Sequence, residues 1–294
     1  SLKGKIIKGI AGFYYVHSPE NNYIYECKPK GIFRKQKIKP LVGDDVEIST
    51  EDVPEGSGVI TDILPRNNEL IRPAVANVDQ ALVLFAAAEP EPNLNLLDRF
   101  LVMMEKQNVR TSICFNKMDI VSNKKMSSLK DIYANCGYDV FASSIINEEG
   151  IHEIYEYIKG KTTVLAGPSG VGKSSLINRL APNANMEIGT VSEKIKRGKH
   201  TTRHSELIYV EEDTYIMDTP GFSSLYINEI ETDELKEYYI EFKDYDSYCR
   251  FIGCNHINEP DCAIKDALNN KKISDVRYKN YILLYEELKV QKKY

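Results

Sequence analysis

Short runs in which apolar and polar side chains alternate dominate the start of the chain, at 5–10, 12–16, 22–27, 45–48 and 58–63, with Gly, Asn, Asp and Pro between them. Alternation with a period of two gives a strand two unlike faces, and the breakers mark turns. Five such strands in one short segment predict a small β-barrel of the OB type over residues 1–72. From Val78 the pattern changes: mostly apolar runs at 80–86, 111–115, 138–141, 162–166 and 214–217 alternate with segments of helical spacing at 94–106, 151–158 and 174–180. Strands without a polar face are covered on both sides, which predicts a Rossmann-like parallel α/β sheet over 73–228 with its working loops at the strands' carboxyl ends. Helical spacing returns at 231–242, 263–268 and 275–289 around a cysteine-rich loop, predicting a small helical domain over 229–294.

Composition narrows the class. The chain has 294 residues, 42% of them hydrophobic and 28% charged, and no apolar run near the roughly 20 residues that cross a bilayer. It reads as a globular, cytoplasmic, monomeric protein with no membrane partner and no signal peptide at its start. The net charge of −5 excludes wholesale coating of nucleic acid, although local patches remain. Lys28, Lys30, Arg34, Lys35, Lys37 and Lys39 crowd a hairpin-like segment, and Lys194, Lys196, Arg197, Lys199 and Arg203 crowd a loop. Either is a solvated basic surface or a phosphate contact. Tyr14, Tyr15, Tyr23 and Tyr25 suit cross-strand packing better than base stacking.

Two motifs carry the chemistry, and their order is unusual. Gly167-Pro168-Ser169-Gly170-Val171-Gly172-Lys173-Ser174, with Ser175 next, lies between an expected strand and an expected helix, the setting of a phosphate-cradling loop. Its glycines let backbone N–H groups turn onto the phosphates, Lys173 reaches the β- and γ-phosphates, and the Ser174 hydroxyl suits Mg²⁺. Asp218-Thr219-Pro220-Gly221 ends the 214–217 strand, placing Asp218 near the metal and the Gly221 amide near the γ-phosphate. Asn116-Lys117-Met118-Asp119 ends another strand. The Asp119 carboxylate can accept from the guanine N1 and N2 donors, which adenine lacks; Lys117 packs along the base. In Ala142-Ser143-Ser144, a backbone amide is expected to meet the guanine O6. The base-reading tetrapeptide precedes the phosphate loop, whereas most GTPases carry the reverse order, so the chain looks circularly permuted.

In Lys199-His200-Thr201-Thr202-Arg203-His204 a threonine is expected to close on Mg²⁺ and the γ-phosphate, and Thr202 is favoured over Thr201. Phe222 stands where many GTPases place a water-orienting glutamine. His200 is the nearest substitute, or else it caps the loop or touches a partner. Cys249, Cys254, His256 and Cys262 supply three thiolates and an imidazole within fourteen residues, a donor set for one structural zinc. Cys27, Cys114 and Cys136 are scattered and read as core.

Laid out in this way, the chain resembles the RsgA (YjeQ/YloQ) family of circularly permuted GTPases over nearly its full length. The resemblance implies an OB-fold domain, a permuted Rossmann-like GTPase domain and a zinc-binding C-terminal domain. It further implies binding to the small ribosomal subunit and its 16S rRNA, a role late in that subunit's maturation, subunit-stimulated hydrolysis of GTP to GDP, and a hydrolytic role for His200. The rival readings are a P-loop kinase or other nucleotide-dependent metabolic enzyme with a zinc-stapled lid, and a purely structural RNA-binding module with a vestigial pocket.

Overall fold

The computed structural model describes residues 1–182, 206–219 and 229–292. In chain order these form β1 (Leu2–Ile10), β2 (Phe13–Ser18), β3 (Tyr23–Pro29), α1 (Gly31–Lys35), β4 (Asp45–Ser49), β5 (Ser57–Ile63), β6 (Glu69–Leu70), β7 (Val75–Ala76) and β8 (Gln80–Ala86). There follow α2 (Leu94–Lys106), β9 (Thr111–Asn116), α3 (Asn123–Ala134), β10 (Val140–Ala142), α4 (Ile151–Ile158), β11 (Thr162–Ala166), α5 (Lys173–Leu180), β12 (Glu206–Glu211) and β13 (Thr214–Asp218). Short 3₁₀ turns and helices at Ala263–Asn269 and Asp275–Gln291 end the chain.

The chain divides into two compact units. The first holds Ser1–Ala81, Ile151–Ala166 and the described part of 173–221. Its strands β1-β2-β3-β5-β4 close into a barrel, as the alternation predicts. Closure depends on β3 and β5 running parallel, with Glu26 opposite Ser57 and Pro29 opposite Ile60. Inward positions Ile6, Val16, Cys27, Val46, Ile48 and Ile60 make the core, and Phe33 adds to it from α1. That contact corrects the hairpin-like reading of 28–39. Burial of Phe33 favours one helical turn there, and Arg34 and Lys35 sit at its C-terminal end, where the helix dipole favours cations.

The Gly43-Asp44 turn is constrained twice. A Cβ on Gly43 would lie 2.0 Å from the Ala76 carbonyl oxygen, at a φ of +95° that disfavours side chains. The buried Asp44 carboxylate accepts from the Leu41 amide at 2.7 Å and from Arg66 Nε and Nη2 at 2.7 and 2.8 Å. In the same unit β11 runs parallel to β13, and β12 pairs antiparallel with β13. On that hairpin Tyr215 and Tyr209 meet His17 of β2: Tyr215 Oη lies 2.8 Å from Nδ1 and the Tyr209 ring stacks at 4.2 Å.

The second unit holds Leu82–Gly150, Gly167–Gly172 and the described part of 222–294. Its strands run β10-β9-β8, with β10 parallel to β9. Helix α3 had no counterpart among the sequence expectations, because its buried Met126, Leu129 and Tyr133 are diluted in a lysine- and serine-rich run. The expected helix over 231–242 is instead a series of 3₁₀ turns, Thr232–Tyr238 and Ile240–Asp244, broken where Tyr239 takes an extended backbone. The break lets Tyr239 and Phe242 enter the aromatic core while Glu241 reaches the buried Arg277. Aromatic and β-branched residues hold an α-helix weakly, so tertiary contacts decide here.

Candidate nucleotide site and metal centre

Asn116 ends β9 with its side chain 2% exposed. Its amide nitrogen donates to the Val171 carbonyl at 3.0 Å, and its amide oxygen accepts from the Ser143 hydroxyl at 2.9 Å. One buried side chain thus ties the base-reading loop to the phosphate loop. The next residue, Lys117, takes a left-handed backbone (φ 63°), and its ammonium donates to the carbonyls of Gly170, at 3.0 Å, and Glu89. Asp119 is exposed, and Ser144 donates its hydroxyl to Oδ1 at 2.8 Å, which orients the carboxylate.

The Ser143 amide donates to the Phe115 carbonyl at 2.9 Å, so its hydroxyl is the group that meets Asn116. Ser144 was not singled out as a contact to Asp119, because a bond across 25 positions leaves no periodic signal.

Two glycines of the phosphate loop are sterically required. A Cβ on Gly167 would lie 2.5 Å from the Leu84 carbonyl oxygen, and one on Gly172, at φ +93°, would lie 2.4 Å from the Asn116 amide nitrogen. Val171 is buried beneath the loop, whereas Ser169, Gly170, Ser174 and Ser175 are exposed and Pro168 is half-buried. Helix α5 begins at Lys173, so its unpaired N–H groups and the positive end of its dipole lie at that residue. The Lys173 ammonium lies 3.0 Å from Asp218 Oδ1 and donates to the Thr219 carbonyl. Thr219 is anchored in turn, its hydroxyl donating to the Leu165 carbonyl at 3.0 Å. His200, Thr201, Thr202, Gly221 and Phe222 lie outside the described residues.

Cys249, Cys254, His256 and Cys262 converge, with ligand atoms all within 4.8 Å of one another. His256 Nδ1 lies 3.5 Å from Cys249 Sγ and 3.3 Å from Cys262 Sγ, and those two sulfurs are 3.9 Å apart. Zinc bonds of about 2.3 Å to sulfur and about 2.0 Å to nitrogen in a tetrahedron put such atoms about 3.5–3.8 Å apart, so the donor set fits. Asp246 Oδ1 lies 2.7 Å from His256 Nε2, which fixes the ring with Nδ1 toward the thiols. Asp246 escaped the sequence reading because no spacing rule marks an outer partner.

A family model described as the RsgA GTPase matches residues 63–228, and another described as the RsgA N-terminal domain matches 3–60. The chain belongs to the RsgA GTPase family. A protein named small ribosomal subunit biogenesis GTPase RsgA from Agathobacter rectalis is 58% identical over 302 residues, covering 100% of both chains. Its namesake from Alkaliphilus metalliredigens is 49% identical, covering 99% of each. The crystal structure of YjeQ from Thermotoga maritima superposes with a TM-score of 0.82 at 38% identity, covering 98% of each chain.

As an RsgA-family GTPase the protein is a GTP hydrolase whose ligands are GTP, GDP and Mg²⁺. The permuted order of its base and phosphate loops accords with YloQ, described as a circularly permuted GTPase, which superposes with a TM-score of 0.79 at 38% identity and covers 96% of that chain. Among the described residues no helix is long and apolar enough to cross a membrane.

Proposed function

We propose that this GTPase acts in the cytoplasm, as a monomer, on the small ribosomal subunit and its 16S rRNA late in the subunit's maturation, hydrolysing GTP when the subunit stimulates it. The observation that carries the reading is the 58% identity over the full length of a relative named for small ribosomal subunit biogenesis. Three working domains follow from it: an RNA-binding barrel over 1–72, the permuted GTPase over 73–228 and a zinc-binding helical domain over 229–294. Of these bounds, the one at 228 coincides with the end of the RsgA GTPase family model, whereas the two family models meet at 60–63.

In this reading Asp119, held by Ser144, accepts from the guanine N1 and N2 donors, while Lys117 lies along the base and braces Gly170. Backbone amides of residues 167–172 and Lys173 spread the charge of the phosphates and stabilise the transferring phosphoryl group. Lys173 is held by Asp218 and the Thr219 carbonyl in the structure, so nucleotide entry exchanges these contacts for phosphate oxygens. Ser174, Asp218 and Thr202 would hold Mg²⁺, which supplies charge neutralisation on the β- and γ-oxygens. His200 orients the attacking water in place of the missing glutamine, and the Gly221 amide reports the γ-phosphate. Cys249, Cys254, His256 and Cys262 would hold one zinc, which closes the loop as a structural ion.

Nucleotide state is expected to set the affinity for the subunit, which pelleting the protein with purified small subunits in GTP, GDP and a non-hydrolysable GTP analogue tests. Tighter binding with the analogue than with GDP is expected; equal affinity in all states would contradict it.

A further inference from the structure

Lys8 is a charged residue buried beside the barrel wall. Ile6 and Val16, opposite each other in β1 and β2, belong to the barrel core, and a period of two would send Lys8 inward after Ile6. The register slips by one residue between Ile6 and Lys8, so Lys8 stands opposite Tyr15 instead. A bulge of this kind re-aims a side chain. Lys8 is turned from the core toward β12, where its ammonium lies 3.2 Å from Glu206 Oε2. The residue is only 6% exposed, and an ammonium taken that far from water is costly unless it is paired.

The partner of Lys8 stands next to the phosphate end of the nucleotide site. Glu206 is the first residue of β12 and lies directly opposite Asp218, the last of β13. Residues opposite each other in an antiparallel pair share a face, with Cβ atoms about 5 Å apart, and like charges so placed repel. Asp218 is the carboxylate that meets Lys173, at 3.0 Å. Strand pairing therefore sets a second carboxylate beside it, on the same face, where a bound triphosphate adds further negative charge. We propose that Lys8 is a positioning residue of the nucleotide site: by pairing with Glu206 it keeps that carboxylate off Lys173 and away from the phosphates. The inference rests on the reading of Lys173 and Asp218 as contacts to the phosphates and Mg²⁺, and it gives the barrel a part in nucleotide affinity.

Calorimetry of the full-length chain with GTP and with GDP, in Mg²⁺, tests it. Lys8→Met frees the Glu206 charge and is expected to weaken GTP at least about fivefold and GDP less, because repulsion grows with each phosphate. Adding Glu206→Gln to that variant is expected to bring both affinities back within about twofold of the wild type, since a pair removed together leaves no stranded charge. His17→Gln loosens the same contact between barrel and hairpin without freeing a charge, and is expected to keep the wild-type ratio of GTP to GDP affinity. Wild-type affinity in Lys8→Met, equal losses for GTP and GDP, no recovery in the double variant, or a ratio shifted as far by His17→Gln would overturn the proposal. Should Lys8→Met fail to fold, the double variant decides, and a fivefold loss of GTP affinity in it would overturn the proposal. Lys173→Ala, measured alongside, separates the two readings: wild-type GTP affinity in that variant would remove the phosphate site itself.

Discussion

Asp119 and Ser144 show how much a single hydrogen-bonding pattern settles. A carboxylate offers only acceptors, so it pairs with the two adjacent donors of guanine and with nothing equivalent on adenine. Asparagine at the same place offers one donor and one acceptor, which suits xanthine, where a carbonyl replaces the guanine amino group. Asp119→Asn is therefore expected to weaken GTP binding by at least about tenfold and to raise affinity for XTP, read by calorimetry with both nucleotides. Unchanged GTP affinity would remove Asp119 from the base. At this scale the sequence was legible wherever chemistry repeats at fixed spacing: Gly167 and Gly172 leave no room for a side chain, Lys173 meets Asp218, and the four Cys/His residues converge. It was silent on the partners that orient them, Ser144 for Asp119 and Asp246 for His256, because those contacts are made across the fold.

Elements are joined in this protein by buried polar groups. Arg277 is fully buried on the C-terminal helix, 3.1 Å from Asp98 of α2 and 2.8 Å from Glu241, with the Tyr239 ring 4.3 Å from its guanidinium. Tyr133 and Asn280 also donate to Asp98, at 2.8 and 2.7 Å. Burial alone would raise the Glu241 carboxyl, but the guanidinium more than offsets it and the group is held below its ordinary value. Arg277→Ala strands two buried carboxylates, so a loss of about 3–5 kcal/mol is expected from urea unfolding. A loss under about 1 kcal/mol would show that the network is not a joint.

The barrel is tied to the β12–β13 hairpin by His17, whose Nε2 lies 2.8 Å from Asn22 Oδ1 and whose other faces meet Tyr209 and Tyr215. Lys5, opposite His17 in the β1–β2 register, lies over the Tyr215 ring at 5.7 Å and pairs with Asp45 at 3.1 Å. Burial lowers the His17 pKa below 6.5, and the Asn22 bond only partly opposes this. The unfolded chain then binds the proton more readily, so this contribution is complete above pH 6.5 and is lost as pH falls through 6.5 toward the folded value. The urea midpoint of the wild type is expected to fall between pH 7.5 and pH 5.5, and that of His17→Gln to fall less; parallel declines would contradict it. None of these joints could be read from periodicity, which finds faces but not their partners. The same blindness hid α3 and turned the 231–242 segment into a helix on paper.

For the whole molecule, the informative feature is chain order. The base-reading loop comes first, the phosphate loop follows, and the segment holding His200, Thr202 and Gly221 leads into the helical region with the Cys/His cluster, so anything that moves that segment with nucleotide state is covalently next to it. Barrel, α/β elements and Cys/His cluster were each legible because each has its own signature: alternation, apolar runs beside a glycine loop, and ligand spacing. The division into two units was not, since 167–172 and 173–182 are neighbours in sequence yet pack with different parts of the chain. The most direct test is the rate of GTP hydrolysis by the wild type and by Lys173→Ala, each with and without purified small ribosomal subunits. Slow hydrolysis that the subunit accelerates at least about tenfold in the wild type, and none in the variant, is the expected result. A wild-type rate indifferent to the subunit, or a variant as active as the wild type, would contradict the account.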